Sequence, residues 1–484
     1  MRMPPAAWIS PSVMALVRAL FRRLGGQFGR TSRKGVVALI DQAVFSGANF
    51  LTTVLVGRFC GLDELGVYAL AFALVVFLMV IHESLVWTPY TVYCHRKASH
   101  EQPLYAGSAL AMQGLFTMAG MVLLALAASV QPLGIGPAGL AAVLWVLVAV
   151  APCYLLREFV RRWLLARLQV AAVLVLDVAV TVLQFAGFFV LWRTSLLSAA
   201  TVFAAVGAAC LIPSALWLLG ARRRFRIRRA AVRGELRRHW SFGRWICASQ
   251  ITDAAHNYAL HWLLALAVGT AATGVYAACS SIVLIFNPLI LGIGSVLGPR
   301  AAQVYAEGGR TEVCRVVWKT TALLTAAMSV LCAGLVLFGE AALRLLYHGA
   351  EYAGHGPIIT LLALATLAGT ISFAADHGMR VLERPDLNFK VRSLGLGVTL
   401  LVAASLVGMW GVLAAAIGRL CGMSLASGVQ CALFARLTRA DPASADQRSG
   451  SRVETFADSG DPRVEPPKAG VESSGEPCAV EVGS

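Results

Sequence analysis

Apolar residues in this chain come in long unbroken runs rather than in the one-sided stripes of a soluble helical bundle. Twelve runs are legible, at about 36–57, 66–90, 104–130, 138–157, 168–192, 196–220, 242–267, 272–298, 318–338, 357–376, 392–409 and 411–435. A helix of roughly 20 apolar residues crosses the hydrocarbon of a bilayer. The pattern therefore predicts an all-α polytopic membrane protein with about 12 transmembrane helices. Before the first run, PSVMALVRALFRRLGG (11–26) is too short and too interrupted by Arg18, Arg22 and Arg23 to span. It reads as an amphipathic helix on the inner surface rather than as a cleavable signal.

The polar connections test the count. With the N-terminus inside, the inner segments hold nearly all the basic residues, and only Arg58, Arg193 and Arg344 fall outside. One miscounted helix would invert every later loop and erase that contrast, so both termini are expected on the cytoplasmic side. The predicted organisation is an N-terminal segment 1–34, a first six-helix bundle 35–220, a basic linker 221–238, a second bundle 239–436 and an acidic tail 437–484. The tail has several prolines and no apolar run, and it reads as disordered.

Composition agrees. The 484 residues are 58% hydrophobic and 14% charged, with a mean hydropathy of +0.71. The net charge of +16 resides in short arginine runs between apolar stretches, so it is read as membrane orientation, and no nucleic-acid partner is expected. The 11 cysteines form no CxxC pair, and residues such as Cys210, Cys279 and Cys332 sit inside apolar runs. They read as small hydrophobes, and no metal or other cofactor is expected.

A repeat organises the spans. GVYA at 66–69 returns at 274–277, 208 positions later, opening the second and the eighth span. At the same offset Gln42 falls on Gln250 and Asn49 on Asn257, in the first and seventh spans. RRWLLAR (161–167) and RVLERP (380–385) both follow the fourth span of their half. Two parallel six-helix repeats related by an axis near the membrane normal account for these matches, because six is even and both halves enter from the same side.

The run DQAVFSGANFLTTVLVGRFCGLDELGVYALAFALV (41–75) resembles the first hairpin of bacterial polysaccharide flippases, members of the multidrug/oligosaccharidyl-lipid/polysaccharide (MOP) exporter superfamily. REFVRRWLLAR (157–167) with LVLDVAVTVLQ (174–184) is similar to the family's helix 4–5 connection. GEAALRLLYHGAEYAGHGP (339–357) resembles its outer loop before helix ten, and LERPDLNF (382–389) with GVLAAAIGRLCG (411–422) its last hairpin. The resemblance implies two six-helix bundles flanking a central cavity. It implies flipping of a polyprenyl-diphosphate-linked oligosaccharide to the outer leaflet of the bacterial cytoplasmic membrane, alongside a polysaccharide polymerase and glycosyltransferases. The lipid II flippase branch usually has fourteen spans, so twelve departs from it.

A polar cargo needs a polar path, and intramembrane polar residues are where to seek it. Gln42, Ser46, Asn49 and Thr53 recur at helical spacing on one face of the first span. Ser249, Gln250, Asp253, His256, Asn257 and His261 do much the same in the seventh. Lining a cavity and bonding to neighbouring helices both remain open for these stripes. Asp253 and His256, with His261 further along, are candidates for proton coupling, the alternative being a pair that orients the helix. Asp41, His82 with Glu83, and Asp177 suit structural ion pairs. Arg419, inside the last span, suits a diphosphate or acidic sugar, or else a pairing with Asp177 or Asp253. Arg58 ends the first span outside, where a headgroup would arrive. Arg96, Arg244 and Arg300 border the inner mouth, as gate residues or as ordinary inner anchors. Pro89, Pro152, Pro288 and Pro299 mark possible bends.

Two other classes fit part of the pattern. A twelve-span drug or small-solute antiporter shares the six-plus-six build. A membrane glycosyltransferase could hold catalytic carboxylates at Asp63 and Glu64, although Asp63 reads more simply as a helix cap.

Overall fold

The computed structural model describes residues 30–131, 136–137, 139–285 and 287–439. The amphipathic N-terminal segment and most of the acidic tail lie outside the described residues. Among those described there is no strand. The first half contains α1 (Arg30–Cys60), α2 (Leu62–His82), α3 (Gln102–Val130), α4 (Leu140–Ala166), α5 (Val170–Arg193) and α6 (Ala199–Ala221). The second contains α7 (Arg229–Ala267), α8 (Thr270–Leu284), α9 (Asn287–Tyr347), α10 (Gly356–Val381), α11 (Pro385–Trp410) and α12 (Val412–Arg439).

Ten helices among the described residues are long and apolar enough to cross a membrane. The exceptions have physical reasons. The 39 residues of α7 carry both the polar stripe and the last part of the basic linker, from Arg229 onward. The 15-residue α8 is too short alone, at about 23 Å. Conversely, the 61 residues of α9 extend roughly 90 Å, far beyond one bilayer. Gly309, at φ 64°, breaks this helix among Arg300, Arg310, Arg315 and Lys319. Its first arm thus completes the eighth span and its second forms the ninth. Pro288 stands in the opening turn of α9, and Pro152 and Pro299 lie inside helices. Pro89 opens a short helix, Thr88–Tyr93, that continues α2 through a π-helical turn at Glu83–Trp87. The wider turn accommodates a residue without an N–H.

Helix surfaces away from the bundle keep large apolar side chains exposed, among them Leu123, Val182, Leu323, Leu337 and Leu401, as a lipid-facing protein requires.

The GVYA repeat marks the place where the two halves touch. A Cβ on Gly66 would lie 2.0 Å from the Thr270 carbonyl oxygen, and one on Gly274 2.0 Å from that of Leu62. Leu62 and Thr270 are themselves 208 residues apart, so the contact is reciprocal across a pseudo-twofold axis. Gly61 (φ 89°) and Gly269 (φ 125°), again equivalent, make the turns into α2 and α8 in backbone conformations that suit glycine. This crossing lies at the end of the bundle opposite the basic loops. Asp63 accepts a hydrogen bond from Thr270 across it. Tyr352 O–H donates to the Gly57 carbonyl (2.8 Å), and Tyr347 shares a hydrogen bond with Ser281 (2.7 Å). At the basic end the halves meet again. His239 of α7 bonds to the Leu85 carbonyl (3.0 Å) and to Tyr105 O–H (2.8 Å), and Gly243 packs on the Ser84 carbonyl.

Candidate functional site

Between the halves lies an opening of about 990 Å³, lined by Thr53 of α1, Tyr68 and Phe72 of α2, Asn257 and His261 of α7, Tyr276 and Ser280 of α8 and Arg419 of α12, among others. Two further polar pockets adjoin it. One, a narrow space within the first half with room for little more than a water, takes in Asn49, Thr52, Arg157, Thr181 and Gln184, and it shares Tyr68 and Phe72 with the central opening. The other, of about 870 Å³ within the second half, takes in Asp253, His256, Asp376, Arg392 and Gln430, and it shares Asn257 and Arg419.

The predicted polar stripes are thus divided. Thr53, Asn257, His261 and Arg419 come together in the central opening. Asn49 faces the first-half pocket, and Asp253 with His256 the second-half one. Gln42 bonds along its own helix to Ser46 (3.1 Å). Neither of these, nor Gln250, lines one of the three openings.

Asp253 and His256 each take a partner other than one another. Asp253 is ion-paired with Arg392, and His256 Nε2 points at the Met423 sulfur (3.0 Å). His261 is buried against Tyr276 and Tyr258, and its Nδ1 has no partner. Arg419 pairs with neither Asp177 nor Asp253. It donates to the His256 carbonyl and to Asn257 Oδ1, each at 3.1 Å, and has no carboxylate partner among the described residues. A cation so placed inside a span is costly unless it faces water or an anion.

The other acids are occupied. Arg157 binds Glu158 and Asp177, and Arg161 bridges Asp177 and Asp41 at 2.9 Å each. Glu83 pairs with Arg162 at 3.0 Å. In the second half Arg392 also reaches Asp376 (3.1 Å), which holds Arg380 (2.6 Å) and accepts from Gln430 (3.3 Å). Sequence reasoning missed Arg392, Asp376 and Gln430. An Asp sixteen residues before an Arg, across a predicted helical hairpin, was the available signal.

Asp63 and Glu64 have structural duties. Asp63 ties α2 to Thr270 rather than capping its own helix, whose N-cap is Gly61. Glu64 accepts the Ala199 N–H (2.6 Å) at the start of α6. Arg58 stands exposed over the Phe59 ring (5.8 Å) at the opposite end. Arg96, Arg244 and Arg300 are exposed at the basic end, and Arg300 bonds to Gln303 (3.1 Å).

The family described as polysaccharide biosynthesis protein matches residues 32–305. No curated protein matches the chain. Among solved structures, an inward-facing multidrug resistance MATE family transporter of the MOP superfamily superposes with a TM-score of 0.70 at 13% identity, covering 83% of this chain and 96% of that one. The lipid II flippase MurJ in an inward closed conformation gives 0.66 at 11%, covering 88% and 93%. An outward-facing multidrug resistance MATE family transporter gives 0.57 at 14%, covering 84% and 95%. The fold is that of these transporters.

Proposed function

The chain belongs to the polysaccharide biosynthesis protein family, and on that premise we propose that it flips polyprenyl-diphosphate-linked oligosaccharides across the bacterial cytoplasmic membrane. In this reading the basic end faces the cytoplasm and both termini lie there. The observation that carries it is Arg419, a cation with no carboxylate partner among the described residues, on the wall shared by the central opening and the second-half pocket. The planar guanidinium fork suits a diphosphate, and the hydroxyls and amides of Thr53, Asn257 and Ser280 suit sugar hydroxyls. Rocking that parts the halves at the Gly66–Gly274 crossing and closes the basic end then exposes the cavity to either side in turn. Polymerase and glycosyltransferases are the expected neighbours in assembly of the surface polysaccharide.

The test is leaflet-resolved. Liposomes containing the protein and a polyprenyl-diphosphate oligosaccharide are probed with a membrane-impermeant enzyme that cuts the headgroup. Protein-dependent exposure, reduced at least tenfold in Arg419→Gln but retained in Gln42→Ala, is expected. Exposure unchanged in Arg419→Gln discards the site. No exposure with several glycans, together with efflux of a small organic cation, supports the antiporter alternative instead.

A further inference from the structure

A cavity of a different kind opens on the lipid side of the first half, at the end away from the basic loops. It measures about 690 Å³, and its walls include Leu55, Phe59, Phe185, Phe188, Phe189 and Trp192. The rings engage one another: Phe59 with Trp192 at 6.0 Å, Phe185 with Phe188 at 5.7 Å, Phe189 with Trp192 at 6.0 Å. Phe59, Phe189 and Trp192 remain exposed.

Two cations adjoin wall residues of this groove in the chain. Arg58 precedes Phe59 and ends α1, and Arg193 follows Trp192 and ends α5. They are two of only three basic residues that the loop pattern assigns to this side. The third, Arg344, pairs with Glu340, whereas neither Arg58 nor Arg193 has an acidic partner among the described residues. The groove's one polar wall residue is Thr52. Gln184 Nε2 donates to its hydroxyl (2.6 Å), and behind that bond lies the first-half polar pocket, which Thr52 also lines. Through Tyr68 and Phe72 the pocket meets the central opening. Thr52 thus lines both the groove and the first-half pocket.

We propose that this groove seats the polyprenyl chain of the lipid-linked substrate at the end away from the basic loops, where its diphosphate, once past Arg419, rests between Arg58 and Arg193; this rests on the flippase reading above. An apolar chain gains little by leaving lipid for an equally apolar wall. Selection therefore falls to the rim, where two unpaired guanidinium groups favour a diphosphate over the single phosphodiester of a phospholipid. The arrangement keeps the tail in lipid while the sugar leaves the central opening.

A photoactivatable long-chain polyprenyl diphosphate bearing no sugar tests the proposal, with the full chain in vesicles rich in phosphatidylglycerol. Crosslinks are expected on the peptides holding Phe59 and Phe189, displaced by unlabelled polyprenyl diphosphate and not by phosphatidylglycerol. Arg58→Gln with Arg193→Gln, both at exposed positions, should cut capture at least tenfold. Leu55→Trp should abolish it by filling the groove, and Gln42→Ala should leave it unchanged. Equal competition by phosphatidylglycerol, capture mapped elsewhere, or full capture by the double Arg variant overturns the proposal. Headgroup flipping by the wild type with capture elsewhere sinks the groove alone. Capture in the groove without any flipping sinks the flippase reading instead.

Discussion

The Gly66–Gly274 crossing makes the sharpest prediction. A methyl group at either position would sit 2.0 Å from a backbone carbonyl oxygen, of Thr270 or Leu62. A carbon and an oxygen normally approach no closer than about 3.3 Å, so the helices must separate by roughly 1.3 Å. Backbone cannot swing aside as a side chain can. Overpacking of this kind costs about 1–3 kcal/mol. That cost falls only on the conformation in which the opposite end is shut. Gly66→Ala or Gly274→Ala should therefore shift the balance toward the form open at that end by about 5- to 150-fold. Ser280 lines the central opening, so Ser280→Cys in a cysteine-free background reports access. A membrane-impermeant thiol reagent added at the end opposite the basic loops should label it several-fold faster in either Gly variant. Labelling from the basic end should fall. Gly47, with nothing within 4 Å of its added methyl, is the control. Labelling unchanged from both ends, with the melting temperature intact, refutes the crossing as the closure. Labelling faster from both ends signals general loosening and refutes it too.

Three further outcomes are expected. Arg157→Met strands the buried Glu158 and weakens the hold on Asp177, at a cost of about 3–5 kcal/mol in thermal unfolding, and adding Glu158→Gln should restore part of it. Arg392→Gln should cost less, about 1–3 kcal/mol, because its partner Asp253 opens on the second-half pocket. His239 at the basic-end seam is held below its usual 6.5 by burial, with Glu235 opposing and Arg238 and Lys97 adding to the effect. Its folded state resists protonation, so the stability it contributes is present above pH 6.5 and declines as pH falls below that value. Melting curves between pH 7 and 5 should show this slope, and His239→Gln should flatten it.

What the sequence made legible is what the backbone demands. Gly66 and Gly274 must remain glycine for the helices to touch, as Gly61 and Gly269 suit glycine for the turns, so the repeat survives there in readable form. The site was harder to read. Asn49 and Asn257 occupy equivalent places in the repeat, yet they face different pockets, because helical spacing gives a face and not the neighbour opposite it. Arg392 looks like one more inner-loop cation until packing brings it to Asp253, 139 residues away. Thr52 and Gln184, separated by 132 residues, carry no local signal that they meet.

The two halves solve one problem with different signs of charge. In the first, acids on α1 and α5 clasp arginines on α4; in the second, acids on α7 and α10 clasp an arginine on α11. Both staples join the first, fourth and fifth helices of their half, so the fold preserves the tie while the residues exchange roles. The settings differ as well. The first staple is sealed, with side chains 1–11% exposed, whereas Asp253 and Arg392 are 38% and 31% exposed. Screening by cavity water weakens the second pair, and charge entering beside Arg419 acts on it at short range. The conformational response to an anionic substrate should therefore start in α7 and α11. Hydrogen exchange with and without the lipid-linked oligosaccharide should show protection changes concentrated there. Changes of equal size in α4 and α5 would contradict the argument.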